Sequence, residues 1–229
     1  MSIALNTCFS RENKWEIGVD EAGRGPLFGR LYVAATILPK DTGFDGFRHD
    51  WMKDSKRFSS AKKIRQIADY IKSNAIAWTV QYVEPDVIDS INIRQAVLKA
   101  MRLCVKDLLA KIREMDGDTD ITKDVCLLID GNDFPVYSLY DEDTDTITQV
   151  RHETVEGGDN LYTCIAAASI LAKVARDDYI DALCVETPEL VTKYGIDKNK
   201  GYGTKKHLDG IREYGVTDFH RKSYGPCRI

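Results

Sequence analysis

The residues Gly18-Val19-Asp20-Glu21-Ala22-Gly23-Arg24-Gly25-Pro26 join an apolar segment to a glycine-rich turn, with two carboxylates between them. The apolar segment Trp15–Val19 predicts a short strand. Successive strand side chains point to opposite faces, so we expect Asp20 and Glu21 to converge only if the strand ends before them. Glycine lets backbone N–H groups approach a ligand closely, and Arg24 can bind a phosphate. The segment indicates a ligand site at a strand end, with a charged turn that merely caps the strand as the alternative.

The surrounding sequence predicts an alternation of strands and helices. Five strands are predicted: Trp15–Val19, Leu31–Leu38, Ala75–Val83, Val125–Ile129 and Ile147–Val155. Four helices are predicted: Ala61–Ser73, a helix from the capping box at Asn92 to Asp116, a helix from about Asp159 to Cys184, and Thr204–Tyr214. The strand Val125–Ile129 ends at Asp130-Gly131, which suggests a second site residue at a strand end.

Length and composition bound the class of protein. The chain has 229 residues, of which 43% are apolar and 30% charged, so a sizeable core is expected in one domain with an appendage. The segment from Thr187 to Gly203 is the best candidate boundary, which predicts a domain at 1–186 and an appendage at 187–229. No apolar run approaches the ~20 residues of a membrane span. Six scattered cysteines and the absence of an apolar leader favour a reducing compartment, and we predict a cytoplasmic location.

Charge is distributed unevenly along the chain. The net charge is −4, but residues 193–229 hold nine Lys/Arg and four Asp/Glu, a local charge of +5. This asymmetry is compatible with a basic contact surface beside an acidic site, and a solvated charged surface is the alternative.

Motifs of other chemistries fail on spacing. The last glycine of Gly23-x-Gly25-x-x-x-Gly29 comes one position late for a dinucleotide fingerprint. The acidic stretch Asp141–Asp145 imitates the start of a calcium loop but has Thr146 where that loop needs glycine, so we interpret it as a solvated loop. No zinc-binding spacing occurs.

The segment Asp20-Glu21-Ala22-Gly23-Arg24-Gly25-Pro26 resembles the signature of the type 2 ribonucleases H, the family of ribonuclease HII. Further segments agree with that family in order and rough spacing: Asp54-Ser55-Lys56, Leu128-Ile129-Asp130-Gly131, Gly158-Asp159, Ala166–Asp177, Gly201–Leu208 and His220–Tyr224. The resemblance covers about residues 15–228. It implies a ribonuclease H-like α/β fold, with a mixed five-stranded sheet flanked by helices and a small helical C-terminal appendage.

The resemblance also implies a mechanism. The catalytic and metal-binding carboxylates would be Asp20, Glu21, Asp130 and Asp159. Two like charges ~4 Å apart repel by about 4 kcal/mol at an effective dielectric of 20, so such a cluster needs divalent cations. Ligation by oxygen alone suits Mg²⁺ or Mn²⁺, and a two-ion site can serve phosphodiester hydrolysis. Asp159 is separated from Asp130 by an enlarged acidic segment, so Glu153 and Glu156 are its nearby substitutes.

Substrate choice would come from other residues. By resemblance, the turn Gly23, Arg24 and Gly25 reads a ribose 2′-OH through backbone groups, and Tyr202 stacks on the neighbouring deoxyribose. Cleavage would fall 5′ to a ribonucleotide and leave 3′-OH and 5′-phosphate ends. Candidate phosphate contacts are Lys56, Lys173, Lys205, Lys206, Arg221 and Lys222. Arg176 and Asp177 are interpreted as structural ion-pairing residues instead.

The resemblance therefore predicts an endoribonuclease that acts in ribonucleotide removal and primer removal. Its partners would be RNA–DNA hybrids and ribonucleotide-containing duplex DNA, with no membrane partner, and the protein would be a monomer. Two alternatives remain open: a related ribonuclease that prefers long hybrids, and a non-catalytic module that binds hybrids. The four carboxylates favour an enzyme over the module, and Arg24 between the two glycines favours the class that cuts junctions.

Overall fold

A mixed sheet of six strands forms the centre of the computed structural model, which describes residues 4–40, 46–141 and 145–228. The strands are β1 (Trp15–Ala22), β2 (Leu31–Ile37), β3 (Ala77–Val83), β4 (Val125–Asp130), β5 (Tyr137–Asp141) and β6 (Thr146–Val155). Their order in space is β3-β2-β1-β4-β6-β5. Strands β1, β4 and β6 run parallel, whereas β2, β3 and β5 pair antiparallel with their neighbours.

The predicted α/β class and mixed sheet are confirmed, but the sheet has six strands instead of five. The additional strand is β5, which pairs with β6 from Tyr137 opposite Val150 to Asp141 opposite Thr146. It is a short edge strand that follows Pro135, and its last residue opens the acidic stretch that we interpreted as a loop. Residues 142–144 of that stretch lie outside the described residues. β5 is paired on one side only and has five residues. Its alternation of apolar and polar residues is therefore too weak and too short to predict a strand.

The described residues form seven α-helices: α1 (Ala61–Asn74), α2 (Pro85–Ile91), α3 (Ile93–Met115), α4 (Ile121–Asp124), α5 (Thr163–Glu186), α6 (Ile196–Asn199) and α7 (Lys205–Tyr214). Helix α3 begins as the sequence predicts, because the Asn92 side chain accepts a hydrogen bond from the Gln95 N–H at 3.1 Å. None of the helices in the described part of the chain combines the length and apolar character that crossing a bilayer requires.

The core has one layer on each face of the sheet. Ile17 and Val19 of β1 and Ile129 of β4 pack against α3, whereas Leu128 of β4 packs against α5. This division follows from the alternation of strand side chains. At Gly18, an added Cβ would lie 2.4 Å from the carbonyl carbon of Cys164. The glycine therefore lets the first turn of α5 lie directly on β1, which fixes the helix beside the carboxylates that follow.

A third cluster joins the appendage, residues 187–228, to the rest of the molecule. Leu27 and Phe28 follow the glycine-rich turn and pack with Ile180 of α5 and with Tyr194 and Ile211 of the appendage. Helix α5 ends at Glu186, next to the predicted boundary. The division into domains 1–186 and 187–229 stays a prediction.

Candidate active site

Strands β1 and β4 separate at their carboxyl ends, and the acidic residues lie at this separation. The parallel ladder between them ends at Val19 opposite Ile129, but β1 continues to pair with β2 as far as Ala22. Our expectation that β1 ends before Asp20 is therefore wrong, since Asp20 and Glu21 are strand residues on opposite faces. They still border one cavity, because the gap between β1 and β4 opens the sheet at this point.

Asp20 lies on the α5 face, where only 5% of the residue is exposed. One carboxylate oxygen accepts a hydrogen bond from the Glu21 N–H at 2.7 Å. Burial raises the pKa of Asp20 well above its usual range, and the charges of Asp130 and Glu21 raise it further. A hydrogen bond with Ser169 of α5 offsets only part of this effect. The folded protein therefore disfavours the ionised form of Asp20, and its own residues offset that penalty only in part.

Glu21 projects towards α3. Burial raises its pKa, and the nearby charge of Arg24 opposes that rise. The Arg24 guanidinium lies 3.4 Å from the Glu21 carboxylate, and its side chain is half exposed. Arg24 is therefore only loosely held by the protein and is accessible to a ligand.

Asp130 ends β4 on the same face as Asp20. Its carboxylate accepts a hydrogen bond from the Gly158 N–H at 2.7 Å, which joins β4 to the segment before α5. Burial raises the pKa of Asp130, although this bond and the charge of Lys56 oppose the rise. At Gly158 an added Cβ would lie 2.5 Å from Ile165 Cδ1 and 3.3 Å from the Asp130 carboxylate, so a side chain here would displace both neighbours.

Asp159 lies in a short 3-10 turn, residues 158–160, that precedes α5. It is 6% exposed and accepts a hydrogen bond from the Asn160 side chain at 2.9 Å. Burial raises its pKa, and so do the charges of Asp54 and Asp130. Of the two substitutes, Glu156 is hydrogen bonded to Asn132, and Glu153 is exposed on β6. Asp159 is thus the member of this segment that is buried beside Asp130.

A cavity of about 420 Å³, the carboxylate pocket, brings most of the predicted site residues together. The predicted residues that line it are Asp20, Glu21, Gly23, Arg24, Gly25, Lys56, Asp130, Lys173 and Tyr202. Asp159 lies behind this lining and does not contribute to it. No three His, Cys, Asp or Glu side chains within the described residues are already arranged to hold a metal ion. The carboxylates are therefore neighbours in the structure without forming a closed coordination site.

Two lysines border the carboxylates. Burial alone would lower the pKa of Lys56, but the charges of Asp54, Asp159, Asp20 and Asp130 outweigh burial and raise it. Lys173 of α5 forms an ion pair with Asp177 at 2.9 Å. Lys56 is thus surrounded by acidic residues, whereas Lys173 already has a carboxylate partner, Asp177.

Arg176 supports the glycine-rich turn from below, a role that the sequence did not reveal. Gly23 has a φ of 96°, and an added Cβ would lie 2.3 Å from the Arg176 Nε atom. The guanidinium donates to the carbonyls of Phe28 at 3.3 Å and Lys200 at 2.8 Å, but its Nε has no partner within the described residues. Burial and the nearby Arg221 charge lower the pKa of Arg176 to about 10. Our interpretation of Arg176 as an ion-pairing residue is therefore wrong, because its partners are carbonyls.

Arg221 and Tyr224 of the appendage hold the turn from the other side. Both donate hydrogen bonds to the carbonyl oxygen of Arg24, from the Arg221 guanidinium at 3.2 Å and from the Tyr224 hydroxyl at 2.7 Å. Arg221 is fully buried and also donates to the Gly29 carbonyl at 3.0 Å. It therefore cannot contact a phosphate from solvent, and its predicted role as a phosphate contact is wrong.

Tyr202 lies beside this turn and is half exposed. An added Cβ at Gly25 would lie 3.7 Å from the Tyr202 ring, and the Arg176 guanidinium lies 6.0 Å from the ring centroid. The tyrosine ring and the backbone of Gly25 thus border the same part of the pocket, so one ligand can contact both.

The cations of the appendage are mostly paired within the protein. Carboxylate partners are present for Lys193, Lys198, Lys200, Lys205, Arg212 and Lys222. His207 and His220 are buried and face each other with their Nε2 atoms 3.1 Å apart. The appendage is therefore far less electropositive than its count of basic residues suggests.

Comparisons with known proteins place this arrangement in a family. The family model described as Ribonuclease HII matches residues 17–227. Ribonuclease HII of Parabacteroides distasonis is 41% identical over 209 residues, which cover 91% of this chain and 89% of that protein.

Solved structures have the same fold at lower identity. Ribonuclease H2 from Pyrococcus horikoshii OT3 superimposes with a TM-score of 0.66 at 19% identity and covers 93% of this chain and 95% of its own. A structure of Bst ribonuclease HIII in complex with Mn²⁺ has a TM-score of 0.60 at 19% identity and covers 95% of this chain and 70% of its own. With a strand-end carboxylate pocket and a family match over nearly its whole length, the chain belongs to the ribonuclease HII family of ribonuclease H endonucleases.

Proposed function

We propose that this chain is a divalent-metal-dependent endonuclease that hydrolyses the RNA strand of RNA–DNA hybrids and cuts 5′ to ribonucleotides embedded in DNA. The observation that carries the proposal is the convergence of Asp20, Glu21 and Asp130 on one pocket, where burial raises the pKa of each carboxyl. The cuts leave 3′-OH and 5′-phosphate ends. Such an activity serves ribonucleotide and primer removal during DNA replication and repair.

The residues present fit Mg²⁺ or Mn²⁺. The donor set consists of the carboxylates of Asp20, Glu21, Asp130 and Asp159, and oxygen ligands suit these hard cations. Burial raises the pKa of each carboxyl, so bound cations would stabilise the ionised forms that the fold disfavours. Two bound ions would supply an activated water and stabilise the leaving oxygen. Because no three of these groups are arranged to hold an ion, we expect their side chains to reorient when metal binds.

The chain's own residues position the substrate. The backbone of Gly23, Arg24 and Gly25 reads the ribose 2′-OH, the group that distinguishes RNA from DNA. Arg176 packs against this turn at Gly23, and Arg221 and Tyr224 donate to its Arg24 carbonyl, so little reorganisation is needed when the hydroxyl binds.

Two further groups hold the neighbouring backbone. Tyr202 is exposed at the pocket wall and stacks on the adjoining deoxyribose. Lys56 lies among four carboxylates, and we propose that it also binds a substrate phosphate. Lys173 can leave its ion pair with Asp177 and bind a second substrate phosphate.

The test uses a DNA duplex that contains one ribonucleotide, incubated with the protein and Mg²⁺ or Mn²⁺. We expect a single cut 5′ to that nucleotide, no cut in the matching all-DNA duplex, and no cut by the Asp130→Asn variant. Cleavage only of long hybrids would support the related ribonuclease that prefers them. Binding without cleavage under both metals would support the non-catalytic module and contradict the proposal.

A further inference from the structure

The exposed face of α3 carries a row of cations. Residues 93–115 contain six Lys/Arg and two Asp/Glu, in a chain whose net charge is −4. Lys99, Arg102 and Lys106 follow one another at three- and four-residue spacing, so they lie on one side of the helix, and all three are exposed. The helix is therefore positively charged on the face that it presents to solvent.

These cations line an elongated depression of about 840 Å³, the α3 groove. Its other wall comes from Pro135, Tyr137 and Ser138, at the start of β5, and Leu98 lies between the two walls. The basic side chains therefore border a concave surface instead of projecting from a flat one.

The α3 groove adjoins the carboxylate pocket through a smaller cavity that lies between them. Arg94 and Leu98 line both the groove and a smaller cavity of about 160 Å³, and that cavity shares Glu21, Arg24 and Asp130 with the pocket. From Arg94 to Lys106 the helix rises about 18 Å, at 1.5 Å per residue. This length equals the axial rise of about five base pairs of duplex at 3.4 Å each.

The groove cations are free to bind an external anion. Arg94 at the mouth of the groove is held by two hydrogen bonds to Asp133, at 2.6 and 2.7 Å. For Lys99, Arg102 and Lys106, by contrast, the described residues offer no carboxylate within ion-pair distance. Three unpaired cations along a groove that adjoins a nuclease pocket complement the phosphates of a nucleic-acid backbone.

We infer that the α3 groove binds the sugar-phosphate backbone of the duplex where it leaves the carboxylate pocket on the α3 face of the sheet. The inference rests on the proposed function for the identity of the duplex. Tyr202 contacts the substrate beside α5, so the two surfaces hold the duplex on different sides of the reacting phosphate. The groove contacts are independent of base sequence, because phosphates carry no sequence information.

The test variant is Lys99→Gln/Arg102→Gln/Lys106→Gln. A control with the same change in charge is Lys72→Gln/Lys111→Gln/Lys123→Gln. Lys72 and Lys111 lie near Trp78 at the start of β3, and Lys123 precedes β4. Because β1, β3 and β4 run in the same direction, the control residues lie at the opposite end of the strands from the pocket. Circular dichroism and thermal unfolding confirm that both variants fold.

Two readouts are required. The first is the salt dependence of binding to an end-labelled DNA duplex with one ribonucleotide, followed by fluorescence anisotropy in EDTA. Three lost phosphate contacts should reduce the slope of log K against log[salt] by about two to three, and the control should leave the slope unchanged. The second is cleavage of two duplexes of about 24 base pairs, each with its ribonucleotide about four base pairs from one end. One duplex extends from the ribonucleotide along the groove, and the other extends in the opposite direction and ends before the groove.

In cleavage, we expect KM of the groove variant to rise about tenfold for the duplex that extends along the groove, with kcat little changed. The duplex that ends before the groove should show no such rise. An unchanged salt slope, or equal KM changes for both duplexes and for the control variant, would overturn the inference. Cleavage by the wild type would still support the proposed function in that case. A further outcome is that the wild type cleaves no substrate, whereas the groove variant still shows the reduced slope of log K against log[salt]. That outcome would support the groove as a duplex-binding surface and contradict the proposed function. A salt slope that drops only with an acidic polypeptide as ligand would assign the groove to a protein partner instead.

Discussion

The carboxylate pocket and the C-terminal appendage are both dense in charge, but the protein compensates these charges very differently. In the appendage, six of the basic side chains have carboxylate partners within the chain. In the pocket, Asp20, Glu21 and Asp130 border one cavity, and burial together with the charges of Asp130 and Glu21 raises the pKa of Asp20. Paired surface charges contribute little to stability or recognition, whereas uncompensated charges cost stability and are retained for a partner. We therefore expect external ligands to depend more on the pocket carboxylates and on the unpaired cations of α3 than on the paired cations of the appendage.

Removing a pocket charge should have the largest effect on activity. We expect Asp20→Asn and Asp130→Asn to abolish turnover, because each change removes an anionic ligand for the metal while the amide keeps a similar shape. The measurement is cleavage of the single-ribonucleotide duplex with Mg²⁺ or Mn²⁺, alongside circular dichroism of the variants. An active, folded Asp130→Asn protein would exclude this metal site.

Substitution of Tyr202 tests the side of the pocket that the appendage supplies. We expect Tyr202→Ala to reduce kcat/KM about tenfold at a single ribonucleotide, the loss of about 1.4 kcal/mol of contact energy. Cleavage of a long hybrid should fall less, because many positions along such a substrate can be cut. Equal losses on the two substrates would contradict the proposed stacking on deoxyribose.

The cost of an uncompensated charge should also be visible in stability. The pKa of Asp20 is raised on folding, so its contribution to stability is present at low pH and is lost as pH rises from about 4 through the folded pKa. The metal-free Asp20→Asn variant should therefore be more stable than the wild type at pH 7, by a few degrees in Tm, where 1 kcal/mol corresponds to about 2–4 °C.

This difference in Tm should shrink towards pH 4 and also when Mg²⁺ or Mn²⁺ is added to the wild type. A wild type that is more stable than Asp20→Asn at pH 7 without metal would show that the carboxylate is already compensated.

The smallest effect is expected for the paired cations. In Lys193→Gln/Lys205→Gln, each lost cation already has a carboxylate partner, Glu189 or Asp209. We expect a change below about 0.5 in the slope of log K against log[salt], although two full phosphate contacts would contribute about 1.8. A loss as large as two contacts would show that the appendage lysines leave their partners when duplex binds.

The sequence predicted the residues that line the pocket better than it predicted the residues that hold those residues in place. The carboxylates and the glycine-rich turn form compact motifs, and a buried strand that ends in Asp130-Gly131 is visible in the local pattern. The extension of β1 through Glu21 was not predictable, because it depends on pairing with β2 after the ladder to β4 has ended. The bonds from Arg176 to the Phe28 carbonyl and from Arg221 to the Arg24 carbonyl join residues more than a hundred positions apart, and no local spacing encodes such contacts. Counting charges also misjudged the appendage, since ion pairs form in three dimensions.

The two hydrogen bonds to the Arg24 carbonyl affect the order in which parts of the chain can fold during synthesis. The donors Arg221 and Tyr224 are 197 and 200 residues further along the chain than the turn that they hold. During synthesis, the turn must therefore wait for nearly the whole described chain to emerge before its anchors exist. A nascent or truncated chain that stops before Arg221 would contain the four carboxylates but would lack both anchors of the turn that we propose to bind ribose.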